Sequence, residues 1–123
     1  MAKTIMIVDD SASLRQIVCI ALKGAGYEVL EACDGKDALS KLDANSKVNL
    51  IICDVNMPNM DGITFVKHAK AMPNLKFTPI VMLTTEVLET KKQEGQAAGA
   101  KAWIVKPFQP VQLLEAVAKL VRP

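Results

Sequence analysis

Five short runs of mainly apolar residues alternate along the chain with segments in which apolar residues recur at helical spacing. Runs of this length that are apolar at nearly every position are typical of strands buried on both faces of a parallel sheet. The second run alternates polar and apolar positions, which predicts a strand nearer the sheet edge. The predicted strands are Thr4–Val8, Tyr27–Glu31, Leu50–Cys53, Ile80–Leu83 and Ala102–Val105.

A segment with helical periodicity follows each predicted strand. Ser11 and Asp61 are placed to accept hydrogen bonds at helix N-termini, and Pro110 is typical of a first helical position. Gly26 and Gly99 are placed to end the first and fourth helices. The core-facing positions predicted in the first and last helices are Leu14, Ile17, Val18, Ala21, Leu22 and Ala25, and Val111, Leu114, Val117, Ala118 and Val121.

The fourth helical segment, Val87 to Ala98, differs from the others because most of it lacks an apolar face. No apolar side chain occurs from Glu89 to Gly95. Gly95 also lies in the helix interior, where glycine costs about 1 kcal/mol relative to alanine. These features predict a weakly held helix that can shift.

The alternation of five strands with five helices predicts the fold class. It is typical of an α/β protein with a doubly wound parallel sheet, and residues 1–123 are predicted to form a single domain. In such sheets, ligands bind outside the carboxyl ends of the strands, at the point where the strand order reverses. Residues that end the strands are therefore the first candidates for a functional site.

Composition narrows the class of function. Hydrophobic residues make up 50% of the chain and aromatic residues only 4%, so the predicted core is aliphatic. The formal charge of +2 and the scattered basic residues argue against nucleic-acid binding. No apolar run approaches the ~18 residues of a membrane span and no signal peptide is evident, which predicts a cytoplasmic protein. Cys19, Cys33 and Cys53 lie in apolar segments and are predicted to be buried and reduced.

Polar side chains follow four of the predicted strands, at the point where each apolar run ends. Because the carboxyl ends of parallel strands meet at one edge of the sheet, we expect three carboxylates, a hydroxyl and an ammonium close together. These residues are Asp9 and Asp10 after the first strand, Asp54 and Asn56 after the third, Thr84 after the fourth and Lys106 after the fifth.

Three carboxylates at close range favour the binding of a cation. Oxygen ligands without His or Cys indicate a hard divalent ion, Mg²⁺ before Ca²⁺. Mg²⁺ held by carboxylates typically recruits a phosphoryl oxygen, so Asp54 is a candidate nucleophile that would form an aspartyl phosphate. Lys106 would neutralise charge on the transferring group, and the Thr84 hydroxyl would donate to a phosphoryl oxygen.

Two simpler explanations stay open at this point. Each acid taken singly, Asp9 and Asp10 included, is also explained as helix capping. Lys106 is also explained as a static counter-charge, and that explanation predicts the same cluster. The occurrence of these residue types at four strand ends on one side of the sheet favours a site over capping.

Four motifs resemble those of a known family: Ile7–Asp10, Asp54–Pro58 with Met60–Gly62, Leu83–Glu86 and Val105–Phe108. The resemblance is to the receiver domain of two-component response regulators, and it covers the whole chain. It implies a (βα)5 flavodoxin-like fold with strand order 2-1-3-4-5. Within the family, the loop after the third strand is most similar to that of the stand-alone chemotaxis regulators of the CheY type.

The resemblance assigns roles to the acidic residues. It implies that Asp54 is the phosphoacceptor. It also implies that Asp9 and Asp10 position Mg²⁺, directly or through water, together with Asp54 and the backbone carbonyl of Asn56. The metal and the phosphorylation site would therefore share one carboxylate.

The remaining strand ends receive roles in the same way. The resemblance implies that Thr84 and Lys106 contact the phosphoryl group, and that the Lys106–Pro107 peptide is cis. The side chains of Asn56 and Glu86 lie where the family tunes the rate at which the phosphoryl group is lost.

The resemblance also implies a switch. Trp103 occupies the position of the family's aromatic switch residue, and movement of Thr84 toward the phosphoryl group would let that ring turn inward. The output surface would comprise the fourth helix, fifth strand and fifth helix, with Glu89, Lys92 and Trp103 contacting the partner. Glu89 and Lys92 replace a basic and a branched apolar residue of the motor-binding regulator, which argues against flagellar motor binding. Trp103 is also explained as a static, half-exposed strand residue.

The resemblance implies a phosphoacceptor signalling module, not an enzyme. The implied donor is a phosphohistidine on a sensor histidine kinase of the CheA type, with small acyl phosphates as substitutes. The implied partners are a downstream protein in chemotaxis, for which the flagellar motor switch is one candidate, and a phosphatase. We expect a monomer without bound nucleic acid and without membrane insertion. The alternatives are a single-domain receiver in a non-motor phosphorelay, a phosphate sink, or a scaffold that is never phosphorylated.

Two other classes of protein share a doubly wound sheet, and the residues argue against both. A phosphohydrolase of the haloacid dehalogenase type requires a second Asp two residues after the nucleophile, where this chain has Asn56. A flavodoxin-like flavin module requires a phosphate loop after the first strand, where Asp9 and Asp10 would repel the phosphate. His68, the single histidine, is predicted to lie on a solvated helix face and not to transfer phosphoryl groups.

Overall fold

The computed structural model describes residues 3–43, 47–55, 60–84 and 89–121, and of residues 89–92 it describes the backbone alone. Within these segments, strands and helices alternate from one end to the other. The strands are β1 (Thr4–Val8), β2 (Glu28–Ala32), β3 (Leu50–Asp54), β4 (Ile80–Thr84) and β5 (Ala102–Val105). The helices are α1 (Ala12–Gly24), α2 (Gly35–Lys41), α3 (Gly62–Lys70), α4 (Glu89–Ala98) and α5 (Pro110–Leu120), and a short 3₁₀ helix (Pro73–Leu75) follows α3.

The five strands form one parallel sheet in the order β2-β1-β3-β4-β5, which confirms the predicted fold class and strand order. β2 lies at an edge, as its alternating pattern predicted. The order reverses between β1 and β3, where Val8 is in register with Cys53. The residues that follow these two strands therefore lie next to each other at the reversal point.

The core has two layers because the strand residues alternate between the faces of the sheet. Met6, Val8 and Ile51 pack with residues of α2 and α3 on one face. Ile5 and Ile7 pack with residues of α1 and α5 on the other. All residues of β3 and β4 are buried, so these two strands form a rigid support for the residues at their carboxyl ends.

Local signals fix the helix ends as predicted. The Ser11 hydroxyl accepts a hydrogen bond from the amide of Leu14 at 3.2 Å, and the Asp61 carboxylate accepts one from the amide of Thr64 at 2.9 Å. Gly26 and Gly99 follow α1 and α4 with φ angles of 95° and 120°, which only glycine adopts without strain. None of the helices in the described segments combines the length and apolarity needed to cross a bilayer.

Five predicted burials are wrong, and one of them is Ala25, which is exposed at the C-terminal end of α1. Ile17 is 52% exposed because Val18 and Leu22 occupy the centre of the buried stripe of α1, so Ile17 lies on its flank. Val111 is 62% exposed and Ala118 is also exposed, whereas Val117 is buried as predicted and Leu113 is buried one turn before it. Cys33 is exposed in the loop between β2 and α2, whereas Cys19 and Cys53 are buried as predicted. His68 is exposed, as predicted.

The burial of the cysteines predicts a selective thiol reaction. Burial raises the pKa of the Cys53 thiol well above its usual range, and burial also raises the pKa of Cys19. We expect one fast equivalent of thiol to react with a disulfide reagent such as DTNB in the folded protein, and all three to react after denaturation. Cys33→Ser is expected to remove the fast reaction. A fast equivalent that persists in Cys33→Ser would contradict the assigned burial.

Candidate functional site

The acidic residues at the ends of β1 and β3 form one cluster. One carboxylate oxygen from each of Asp9, Asp10 and Asp54 lies within 4.8 Å of the others. Asp9 is fully buried, Asp54 is 5% exposed, and Asp10 is exposed. Two buried carboxylates at the ends of β1 and β3 thus form the inner part of the cluster, and Asp10 lies on its solvent-exposed side.

Asp9 is held in place from several directions. Its Oδ1 accepts a hydrogen bond from the amide of Ser11 at 2.8 Å, and its Oδ2 accepts one from the Lys106 ammonium at 3.0 Å. The Arg15 guanidinium donates to its backbone carbonyl at 2.5 Å and also pairs with Glu31 at 3.3 Å. These contacts fix the carboxylate before any ligand binds.

Helix capping does not explain the acidic cluster. The helix after β1 is capped by Ser11, and the helix after β3 is capped by Asp61. Asp9, Asp10 and Asp54 are therefore not the N-cap residues of these helices. Asp9 does accept a hydrogen bond from the amide of Ser11, in the turn that leads to α1.

Lys106 joins the cluster from β5, two strands away from Asp54. Its Nζ lies 3.0 Å from Asp9 Oδ2 and 3.5 Å from Asp54 Oδ1, so it bridges the two buried carboxylates. Its amide donates to the carbonyl of Thr84 at 2.7 Å, which ties the end of β5 to the end of β4. The Lys106–Pro107 peptide is cis, as the resemblance implied.

Thr84 is the last residue of β4 and is 2% exposed. Its neighbour Leu83 is in register with Asp54, so Thr84 ends its strand at the same edge as the acidic cluster. Asp9, Asp10, Asp54, Thr84 and Lys106 are therefore brought to one edge of the sheet. Asn56 and Glu86 lie outside the described residues, as do the side chains of Glu89 and Lys92.

The donor set suits a hard divalent cation. It consists of carboxylate oxygens, and Lys106 compensates only part of their charge. The buried thiol of Cys53 lies close to the same negative charges. Burial is the main cause of the raised pKa of Cys53, and the charges of Asp54 and Asp9 raise it further. Asp9, Asp10 and Asp54 are the described residues that would hold Mg²⁺.

Two glycines, one beside Asp54 and one beside Trp103, make close contacts that the sequence pattern did not reveal. A Cβ added at Gly62 would lie 2.2 Å from the Asp54 carbonyl oxygen and 2.9 Å from Val55 Cα. A Cβ added at Gly95 would lie 2.3 Å from Cζ2 of Trp103. Both contacts join residues of different elements, so no local pattern of residues indicates them.

Comparison with known proteins identifies the family. A family model described as the response regulator receiver domain matches residues 5–118. This chain is a response regulator receiver domain. The match runs from the second residue of β1 through β5 into α5, and it includes the acidic cluster, Thr84 and Lys106.

Relatives of this receiver domain include chemotaxis proteins. It is 43% identical over 112 residues to the chemotaxis protein CheY1 of Helicobacter pylori strain J99, covering 90% of each chain. Its fold matches the structure of Vibrio cholerae chemotaxis protein CheY4 with a TM-score of 0.92 and 48% identity, covering 98% of this chain and 99% of the other. It is also 34% identical to the phosphate regulon transcriptional regulatory protein PhoB of Escherichia coli, of which it covers 53%.

Proposed function

We propose that this receiver domain accepts a phosphoryl group on Asp54 from a phosphohistidine of a sensor histidine kinase. The observation that carries the proposal is the arrangement of Asp54 with Asp9, Asp10 and Lys106 at the strand-order reversal. Membership of the receiver family supports the choice of donor. The domain acts as a phosphoacceptor module whose product is its own modified form, not as an enzyme that turns over a small molecule.

The transfer step is a displacement at phosphorus. A carboxylate oxygen of Asp54 attacks the phosphorus atom while the bond from phosphorus to the donor histidine nitrogen breaks, and the bonding electrons return to the imidazole ring. Asp9, Asp10 and Asp54 would hold Mg²⁺, which would supply positive charge to offset that of the phosphoryl oxygens. Because β3 is buried along its whole length, Asp54 reacts from a fixed position.

Lys106 and Thr84 stabilise the negative charge that develops on the phosphoryl oxygens during the transfer. Lys106 Nζ, now 3.5 Å from Asp54 Oδ1, is within reach of a phosphoryl oxygen carried by that carboxylate. The Thr84 hydroxyl donates to another phosphoryl oxygen. Lys106 would then exchange part of its contact with Asp9 for a contact with the phosphoryl group. Because Lys106 directly follows β5, this exchange would alter the position of the end of that strand.

The proposed output is altered binding of a protein partner at the surface formed by α4, β5 and α5, with Thr84 and Trp103 as switch residues. The chemotaxis proteins among its relatives support a role in chemotaxis, with a kinase of the CheA type as donor. The alternative is a non-motor phosphorelay or a phosphate sink. Glu89 and Lys92, which differ from the motor-binding regulator, favour that alternative.

Intact-mass spectrometry after incubation with acetyl phosphate tests the proposed function. We expect a gain of one phosphoryl group in the presence of Mg²⁺ and no gain when Mg²⁺ is removed by a chelator. A gain that is independent of Mg²⁺ would contradict the assigned role of the acidic cluster. Steady release of phosphate without an adduct would instead favour a phosphohydrolase.

Binding of Mg²⁺ is expected to change the fluorescence of Trp103. Trp103 is the only tryptophan of the chain, so the signal has a single origin. Mg²⁺ at the acidic cluster would weaken the contact between Lys106 and Asp9, and Lys106 follows the strand that carries Trp103. A titration at millimolar Mg²⁺ checks this, with Asp10→Asn as the variant expected to respond less. An unchanged emission in the wild type would contradict the coupling.

Replacing Lys106 with alanine is expected to permit phosphoryl transfer but to reduce the change in Trp103 fluorescence that follows it. The ammonium bridges Asp9 and Asp54 from the end of β5, so its loss removes the link between the site and that strand. Lys101→Ala is the matched control, because Lys101 is exposed at the other end of β5. Intact mass measures the transfer in the same samples. A normal fluorescence change in Lys106→Ala would exclude Lys106 from the coupling.

A further inference from the structure

The indole of Trp103 packs against α4. Trp103 packs on the core face that is covered by α2, α3 and α4, together with Met72 and Ala98. Its Nε1 is fully buried and has no hydrogen-bond acceptor among the described residues. A buried donor without an acceptor destabilises the arrangement that contains it. Packing of the ring must therefore outweigh this penalty.

The packing partner is a glycine in the interior of α4. A Cβ at Gly95 would lie 2.3 Å from Cζ2 of the indole, 3.2 Å from Cη2 and 3.3 Å from Cε2. Real Cβ atoms are not found at 2.3 Å, so any other residue at this position would displace the ring or the helix. Glycine in a helix interior is unfavourable, and the indole explains why it is present here.

This contact is one of the attachments of the described part of α4, which also packs beside α3. Among residues 93–98, whose side chains are described, only Gly95 is buried and Ala98 is half-buried, while the other four are exposed. The carbonyl of Gly95 also accepts hydrogen bonds from the amides of Gly99 and Ala100, which end the helix. The position of the C-terminal half of α4 therefore depends in part on how the indole fits at Gly95.

We propose that Gly95 is the positioning residue that fits α4 to the Trp103 indole, and that this pair determines how firmly α4 is held on the sheet. In this position, favourable packing of the ring and the unfavourable buried N–H oppose each other. Movement of α4 away from β5 would give Nε1 access to water. The assignment of α4 to the output surface rests on the proposed function, but the fit between Gly95 and Trp103 does not.

A double-mutant cycle tests the pair, because Gly95→Ala should destabilise the protein when Trp103 is present and stabilise it when Trp103 is replaced. Gly95→Ala in the wild-type background is expected to raise the unfolding equilibrium constant about tenfold through overpacking. In the Trp103→Ala background the same substitution is expected to lower that constant about fivefold, because only the better helix propensity of alanine remains. Urea unfolding followed by circular dichroism measures all four proteins.

Gly24→Ala is the matched control for the cycle. Gly24 is the last residue of α1, and a Cβ there meets nothing within 4 Å, so its effect should not depend on Trp103. In Gly95→Ala with Trp103 present, the emission maximum should shift to longer wavelength and acrylamide should quench more strongly, since the ring is displaced toward water. Gly24→Ala should leave the emission unchanged.

The outcomes separate this proposal from the proposed function. If Gly95→Ala has the same effect on unfolding in both backgrounds, or leaves the emission unchanged, the fit between Gly95 and Trp103 is overturned, whatever acetyl phosphate does. If the sign reverses and the emission shifts, the proposal stands even when the wild-type protein fails to take up a phosphoryl group. That failure would overturn the role of Asp54 alone.

Discussion

The substitution Asp54→Asn is expected to abolish phosphoryl incorporation from acetyl phosphate. The amide has nearly the same volume as the carboxylate but is not a nucleophile, and it removes one of the three charges that would hold Mg²⁺. The fold should be retained because the substitution preserves shape at the end of a fully buried strand. Intact-mass spectrometry with Mg²⁺ and acetyl phosphate measures the loss directly.

Asp61→Asn is the control for this loss. Asp61 is an exposed acid that caps α3, and asparagine can accept the same hydrogen bond from the amide of Thr64. We expect this variant to incorporate the phosphoryl group as the wild type does. Incorporation in Asp54→Asn that still requires Mg²⁺ would move the phosphoacceptor to another residue and contradict the mechanism.

The substitution Gly62→Ala is expected to lower the free energy of unfolding by about 3 kcal/mol. This is the upper part of the range for overpacking, because the atoms in the way cannot easily move. The new methyl group would lie 2.2 Å from the Asp54 carbonyl oxygen and 2.9 Å from Val55 Cα, and both atoms belong to the main chain. The amide of Gly62 donates to the Val55 carbonyl at 2.8 Å, so the start of α3 cannot move away without losing that bond. Urea unfolding measures the change.

Gly24→Ala provides the comparison for this substitution as well. It adds the same methyl group in a helix, at a site with no atom within 4 Å, and should alter stability by no more than about 1 kcal/mol, in the stabilising direction. A Gly62→Ala variant as stable as the wild type would show that the close approach of α3 to the end of β3 is not required. A destabilised variant that folds should also incorporate less phosphoryl group, because Asp54 would shift.

The strand positions, two helix caps and the convergence of the strand ends were predictable from the sequence. The strand order came from the family resemblance, and the strand positions came from short apolar runs that the sheet buries on both faces. The caps at Ser11 and Asp61 followed from side chains that bond to amides three residues away. The convergence of Asp9 and Lys106, 97 residues apart, followed from the topology because parallel strands end at a common edge.

Features that depend on which surfaces meet in the folded chain were not predictable. In α5, Val117 is buried as predicted, but Leu113 is buried where Val111 was expected, because an apolar pattern does not fix how a helix is rotated on the sheet. The exposure of Cys33 depends on the path of the loop before α2. The roles of Gly62 and Gly95 depend on contacts with Asp54 and Trp103, which lie in other elements.

Chemical trapping of the acyl phosphate tests the central claim most directly. Borohydride reduces an aspartyl phosphate to homoserine, which marks the modified position permanently and can be located by peptide mass spectrometry. After incubation with Mg²⁺ and acetyl phosphate, we predict homoserine at position 54 in a share of the chains that matches the phosphoryl group seen by intact mass. Homoserine at position 9 or 10, or phosphorylated protein without any at position 54, would contradict the assignment of Asp54 as the phosphoacceptor.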